Sequence, residues 1–484
     1  YYHFSQGLGP VNYPGYYSNY VQAFGPRAFS FNTYDYAGFA TDDWKLTPRF
    51  TVTLGARYEY EQLPNAILAN PQIPQTAHLA DDKNNIGPRV GFAYDVFGTG
   101  KTVVRGGYGL YYGRIINSTI FNALTSTGNL AGQVSYNFSH PVSTIQFPNI
   151  LSAAPTQTIK PSANYFDPHF QNPQIHETDF IVEQDLGWNT VLSLSYLGSY
   201  GRELPNFVDA NFDRSQVSTV TYNVVGGGPL AALGPQYTTL LFTNKTRPNP
   251  GFTSITDIVS NVNSSYNALA FQANHNFSKG LQFNFNYTWS HALDTNQNQQ
   301  TGTATNNQTN PLNLRADYGN SNYDVPNRVV VNAVYQPQWK ANGWLGYLVN
   351  DFTIAPIWQW QNGNPYTLSV SGNAPGGAIG GINGSGGPNR IIELGRNTFR
   401  QPNTSDVDLR ISKRFALTER YRLELLGEAF NLLNHQNITG VNSLGYIISG
   451  NTLTYQPAFG SFTNANSNTI FRERQLQLAV RFEF

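Results

Sequence analysis

Apolar and polar residues alternate with a period of two along much of this chain. The pattern is cleanest from Leu281 to Ser290, where Leu281, Phe283, Phe285, Tyr287 and Trp289 are interleaved with Gln282, Asn284, Asn286, Thr288 and Ser290. Successive side chains of a strand point to opposite faces, so this segment predicts a strand with one apolar face and one polar, uncharged face. Phe50 to Glu61 repeats it: Phe50, Val52, Leu54, Ala56, Tyr58 and Tyr60 face one way, Thr51, Thr53, Gly55, Arg57, Glu59 and Glu61 the other. At the end of the chain Leu476, Leu478, Val480, Phe482 and Phe484 alternate with Gln475, Gln477, Ala479, Arg481 and Glu483. Val90 to Val96, Val407 to Phe415 and Tyr421 to Ala429 carry the same pattern more weakly.

Connections between these segments alternate in length. Short links rich in turn formers occur at Thr47 to Arg49, Gly98 to Lys101, Gly187 to Asn189, Ser278 to Gly280 and Ala416 to Arg420. Long polar links separate the resulting hairpins: Leu63 to Asn85, Ile115 to Pro173, Glu203 to Ser264, Thr295 to Asp324, Ser371 to Pro402 and Asn434 to Thr469. Short turns on one rim and long loops on the other are expected of an antiparallel transmembrane β-barrel of the outer membrane, with its turns periplasmic and its loops extracellular. The scheme predicts about 13 strands. The ninth and tenth, Val325 to Gln336 and Asp351 to Leu368, are joined by a longer, Trp-rich link around Trp344. Strict alternation then places Phe484 on the periplasmic side.

Bacterial single-chain barrels have even strand numbers, so an odd count predicts an incomplete barrel, the C-terminal portion of a larger one. Residues 1–30, crowded with Tyr, Gly, Asn and Pro, read as the remnant of an extracellular loop, and 31–484 as the barrel part. The first partner of the last strand is expected before Tyr1, which predicts an open or ill-closed sheet. The tract Asp294 to Asn310, nearly all Asn, Gln and Thr, and the Gly-rich Ser371 to Pro388 are expected to be mobile, solvent-facing segments unable to form a core.

Composition supports membrane strands over a cytosolic enzyme. Only 12% of residues are charged and 14% are aromatic, with 30 Tyr and 31 Phe against 7 Trp. Lys plus Arg and Asp plus Glu each number 29, so no basic footprint marks a nucleic-acid partner. Cysteine is absent, which removes disulfides and thiolate metal sites. No apolar run approaches the roughly 18 residues of a spanning helix, whereas alternating strands suit a mean hydropathy of -0.37.

Several local motifs, taken in order, resemble the C-terminal barrel of TonB-dependent outer-membrane receptors, specifically the Oar-like group common in acidobacteria. They are Phe39-Ala40-Thr41-Asp42-Asp43-Trp44-Lys45 with Leu54-Gly55-Ala56-Arg57-Tyr58-Glu59, then Gly87-Pro88-Arg89-Val90-Gly91-Phe92-Ala93-Tyr94 and Val104-Arg105-Gly106-Gly107-Tyr108-Gly109. Tyr266-Asn267-Ala268-Leu269, Tyr287-Thr288-Trp289-Ser290 and Glu428-Ala429-Phe430-Asn431-Leu432-Leu433-Asn434-His435 follow. The resemblance implies a barrel of about 22 strands blocked by an N-terminal plug, with plug and TonB box upstream of this chain. It also implies that the ending on Phe484, with Phe482, Val480, Leu478 and Leu476, is the signal read by the barrel-assembly machinery.

Motifs for chemistry are sparse. Gly98-Thr99-Gly100-Lys101-Thr102 has the end of a phosphate-binding loop, but Asp95 stands where its first glycine belongs, and a hairpin turn explains it better. The eight His residues, including His78, His140 and His169 in loops, lack metal-ligand spacing. Asp406 and Asp408 share a face with Arg410, Ser412 and Arg414 and read as lumen charges satisfied across the sheet rather than as an acid/base pair. Tyr287, Trp289, Trp358 and Trp360 stand near the outer ends of their strands and read as an interfacial aromatic belt. Neither an enzyme nor a cofactor is indicated. The expected partners are outer-membrane lipid, the TonB system through the plug, and a ligand of unknown identity, glycan or peptide, bound by the loops. The leading function is energy-coupled uptake through a plugged barrel. The alternatives are a surface adhesion protein on the same barrel and a soluble β-propeller or sandwich, the latter predicting blade-like repeats that are not found.

Overall fold

In the computed structural model of the protein, the described residues are 2–4, 17–25, 30–132, 134–139, 145, 148–155, 160–295, 307–466 and 472–484. His140, most of segment 1–30 and the centre of the Asn- and Thr-rich tract lie outside them. One large antiparallel sheet dominates. Its strands are β1 (Tyr34–Thr47), β2 (Phe50–Gln62), β3 (Asn85–Asp95), β4 (Thr102–Tyr112), β5 (Gln174–Gly187), β6 (Thr190–Arg202) and β7 (Ser264–Ser278). They continue as β8 (Leu281–Asp294), β9 (Asn327–Tyr335), β10 (Phe352–Gln361), β11 (Thr404–Ala416), β12 (Arg422–Phe430) and β13 (Gln475–Glu483). Each pairs with its sequence neighbour, and the short strand Gly319–Asn320 adds to β8 as the fourteenth member of the sheet. The ninth and tenth strands are shorter than the alternation suggests, and the expected meander is otherwise reproduced.

Register places the alternating residues on common faces. Phe285 stands opposite Ala273 of β7 and Val331 of β9, while Asn284 stands opposite Asn274 and Asn332. Apolar rows therefore continue across strands on one side and polar rows on the other, as a barrel wall between lipid and lumen requires. The polar side carries ion pairs between neighbouring strands: Arg105 with Glu183 at 3.0 Å, Arg410 with Glu428 at 3.8 Å and Arg481 with Glu424 at 3.6 Å. Arg414 reaches past β12 to Glu483 at 3.6 Å. Asp408, in turn, accepts from the Asn431 amide at 2.9 Å.

Turn chemistry sets the short rim. Trp188 and Asn189 both take positive φ, 51° and 58°, the twist that a two-residue hairpin demands. The Asp95 carboxylate accepts from the amides of Gly98 at 2.9 Å and Gly100 at 2.8 Å, so the phosphate-loop lookalike is a hairpin closed by its own aspartate.

Where the core sits is the most informative feature. Among the described residues, the only buried apolar side chains on the thirteen meander strands are Ala268 and Leu426. Leu54, Val90, Phe180, Leu194, Leu269 and Leu425, all on the apolar face, are exposed. An apolar sheet face without a protein layer over it is stable only against hydrocarbon, which also demands that backbone groups be paired within the sheet. The meander is open: among the described residues, β1 pairs only with β2 and β13 only with β12.

Candidate functional site in the long loops

Apart from Ala268 and Leu426, the buried apolar side chains among the described residues lie outside the meander strands, most of them in the long loops. Three of these loops, 203–263, 362–403 and 431–474, contribute to one five-stranded sheet ordered Gln236–Phe242, Val217–Val225, Thr452–Tyr455, Leu444–Ser449 and Ser369–Ser371. Two hairpins supply four of these strands, and parallel pairing joins Asn223 to Thr452 and Ser369 to Leu444. Tyr222, Tyr446 and Leu453 of this sheet form a buried apolar core with Leu230, Leu368 and Ile382. Two of its hydroxyls are satisfied internally: Tyr222 donates to the Ile382 carbonyl at 2.7 Å and Tyr446 to the Gly227 carbonyl at 2.8 Å. Burial pushes the Tyr222 phenol up to about 12.

The Gly-rich segment Ser371 to Pro388, expected to be mobile and coreless, is part of this core. Ala374 and Ile382 are buried in it, as are the polar Asn383 and Ser385. Glycine is what permits the packing. Gly384 has φ 72°, and a Cβ there would stand 2.6 Å from the Phe242 carbonyl oxygen.

A second lobe is built from 63–84, 113–173 and the ends of 203–263. Helix α1 (Asn117–Thr125) buries Ile120, Ala123 and Leu124 against Phe166, Phe170, Phe207 and Ile258. The three-stranded sheet of Leu204–Asp209, Ile255–Val262 and Ala163–Phe166 runs through it. Tyr17–Phe24 pairs with Val134–Ser139, so part of segment 1–30 associates with the same long loop.

In the second lobe Asp257 sits opposite Tyr165 on adjacent parallel strands. Burial raises its carboxyl to about 6, the nearby Asp167 charge adds to the rise, and the Tyr165 hydroxyl and Arg214 oppose it. The folded lobe thus holds a proton that the unfolded chain, at 3.8, has already released. The stabilisation is complete below that value and is lost as pH rises through about 6. The expected result is a denaturant midpoint for this lobe that falls between about pH 4 and pH 7. It can be followed with a fluorophore on a cysteine introduced at the exposed His169. Asp257→Asn flattens the dependence, and an unchanged slope in that variant would refute the assignment.

Three arginines of one loop clamp three aspartates. Arg390 binds Asp317 at 2.7 Å, both side chains 2% exposed. Arg396 pairs with Asp294 at the end of β8, and Arg400 with Asp324. His291 on β8 meets the same Asp324 at 3.0 Å. Arg396 and Arg400 also donate to the carbonyls of Gly319 and Asp324, at 3.1 and 2.8 Å. These pairs tie loops 295–326 and 362–403 to each other and to the sheet. No local motif marks these pairs; their one trace in the sequence is the set of arginines at 390, 396 and 400 in a charge-poor stretch.

The residues singled out from sequence fall in two other places. Trp360 stands opposite Ser405 and, across Val329, in line with Tyr287; Trp358 lies in the adjoining row with Val331 and Phe285. Tyr287 donates to Asn327 at 2.7 Å, Trp358 to Ser405 at 3.2 Å, and Trp289 is exposed. All four are on the apolar face, toward the long-loop rim. Leu476, Leu478, Val480, Phe482 and Phe484 are exposed at the β13 edge. A cavity of 450 Å³ lies at the loop ends of β6 to β8, lined by Ser199, Leu204, Tyr266, Leu293, Asp294 and Tyr323 among others. Among the described residues, no group of three His, Cys, Asp or Glu comes together to hold a metal.

Comparison with solved structures returns outer-membrane transporters and receptors of low sequence identity. The outer membrane transporter YddB from Escherichia coli is 12% identical with a TM-score of 0.48, covering 93% of this chain and 45% of its own. For the FrpB iron transporter from Neisseria meningitidis the figures are 9%, 0.47, 94% and 46%. For the siderophore receptor PirA from Acinetobacter baumannii they are 10%, 0.45, 94% and 46%. This chain therefore spans less than half the length of those proteins. No curated protein matches it. The model of the outer membrane beta barrel domain matches residues 13–393 and 383–477. With nearly the whole chain so covered, and an apolar sheet face that requires lipid, the protein belongs to the outer membrane beta barrel domain family and resides in the outer membrane.

Proposed function

We propose that this chain is the barrel part of a TonB-dependent outer-membrane receptor of the Oar-like group, in which the folded outer loops capture a glycan or peptide ligand. Inner-membrane energy, transmitted through a separate plug domain, then drives uptake. The role is binding and transfer, without catalysis. The observation that carries this reading is the composite five-stranded sheet, in which three loops far apart in sequence share one core. Mobile spacers need no such core, whereas a recognition surface gains affinity from being preorganised. In the same reading Tyr287, Trp289, Trp358 and Trp360 hold the barrel at the outer interface, and the strand ending on Phe484 is its assembly signal.

The test uses cells carrying the full-length receptor and pools of fluorescent oligosaccharides and oligopeptides. Internalisation that requires an energised TonB system is expected. Gly384→Val, which forces a side chain against the Phe242 carbonyl, abolishes retention of the probe while leaving the barrel's heat-modifiable gel migration intact. Retention without TonB-dependent internalisation would overturn transport in favour of adhesion.

A further inference from the structure

One connection on the short-turn rim is not a tight hairpin. Between β9 and β10 the chain runs from Gln336 to Asp351 and forms a helical turn, α2 (Trp344–Val349), with the sequence Trp-Leu-Gly-Tyr-Leu-Val. None of its residues is buried, and Trp344, Leu345, Tyr347 and Leu348 are exposed, Trp344 to 71%. An apolar turn with no polar face is not built to sit in water.

The segment is a closed structure. The Asn350 side chain donates to the Ala341 carbonyl at 3.0 Å and accepts from its amide at 3.1 Å. The Asn350 amide donates to the Gly346 carbonyl at 3.0 Å, and a Cβ on Gly346 would stand 2.5 Å from the Ala341 oxygen. Its base is continuous with the lipid-facing side of the barrel. The Trp339 ring packs edge-on against Phe352 at 6.4 Å. Lys413 donates to the Asn350 carbonyl and lies over the rings of Phe352 and Phe415 at 5.3 and 4.9 Å. Phe352 and Lys413 are register partners on the face that carries Ile354 and Ile411. Lys340, exposed beside Trp339, is the segment's one charge before Asp351.

We propose that Trp339 to Val349 is an interfacial anchor lying in the periplasmic leaflet of the outer membrane. The apolar side chains of α2 enter the acyl boundary, and Lys340 meets the phosphates of anionic phospholipid. Exposed apolar side chains, continuity with the lipid-facing wall and a basic residue at the border are the features of a segment that lies on a membrane rather than across it.

The chain has no cysteine, so Leu345→Cys, Leu348→Cys and a control Glu419→Cys in the tight turn before β12 each carry a unique bimane label. The full chain is reconstituted in phosphatidylcholine/phosphatidylglycerol vesicles containing lipids brominated at shallow or deep positions. Expected is quenching at 345 and 348 severalfold stronger than at 419, strongest with shallow bromines, together with shielding from aqueous iodide. Lys340→Glu weakens that quenching only when phosphatidylglycerol is present. Equal access of iodide to 345, 348 and 419 would overturn the proposal. So would shielding that appears only on adding periplasmic extract, which means a protein partner, or only at high protein density, which means a second copy.

Discussion

Asp317→Ala loosens the outer loop assembly by about 3 to 5 kcal/mol, the cost of leaving a buried arginine without its counter-ion. Arg390 and Asp317 are each 2% exposed and bond at 2.7 Å, while the Asp317 carboxylate also accepts from the Thr309 amide and hydroxyl at 2.9 and 2.7 Å. The Arg390 Nε and Nη1 have no protein partner, so nothing nearby takes over the charge. Proteolysis of the region 307–326 and 388–403 should accelerate while β1 to β13 keep their heat-modifiable migration. The double variant Asp317→Leu with Arg390→Met should regain much of the loss, because two apolar residues leave no charge stranded. Breaking the exposed Lys83–Asp81 pair, 62% and 55% accessible, should change nothing measurable. Equal effects of Asp317→Ala and Asp81→Ala would remove the clamp from the account.

Phe285→Arg destabilises the barrel by about 2 to 4 kcal/mol near mid-membrane, whereas Asn284→Arg, one residue earlier, costs far less. The contrast rests on register. Phe285 lies between Ala273 and Val331 with the Phe271 ring 6.0 Å away, on the face that meets hydrocarbon. Asn284 lies between Asn274 and Asn332 on the polar face, where a guanidinium stays hydrated. Unfolding by guanidinium in phospholipid vesicles measures both. Equal losses would mean that the two faces have been assigned wrongly or that neither meets lipid.

The lipid-facing row and the buried clamp differ in how far the sequence reveals them. The row was legible in the alternation of Leu281 to Ser290, because in a meander every strand pairs with its sequence neighbour and each face needs a single polarity. The Arg390–Asp317 clamp was not, since it joins residues of two loops with no periodic pattern between them. Low complexity also misled. The glycines of Ser371 to Pro388 signal backbone freedom, yet at Gly384 the same absence of a side chain lets two loops pack closely, which no local window reveals.

The linear pattern alone specifies about 13 strands, their faces, the alternation of short and long connections and the hairpin at Asp95, though not the ends of β9 and β10. All of these follow from period-two patterning and turn chemistry acting over a few residues. Only the tertiary structure decided that the loops fold, that Val217–Val225 runs parallel to Thr452–Tyr455 from far along the chain, and that Arg390, Arg396 and Arg400 find Asp317, Asp294 and Asp324. The physical reason is that such partners are chosen by shape and charge among loops whose ends the strands hold at a common rim, not by any local pattern.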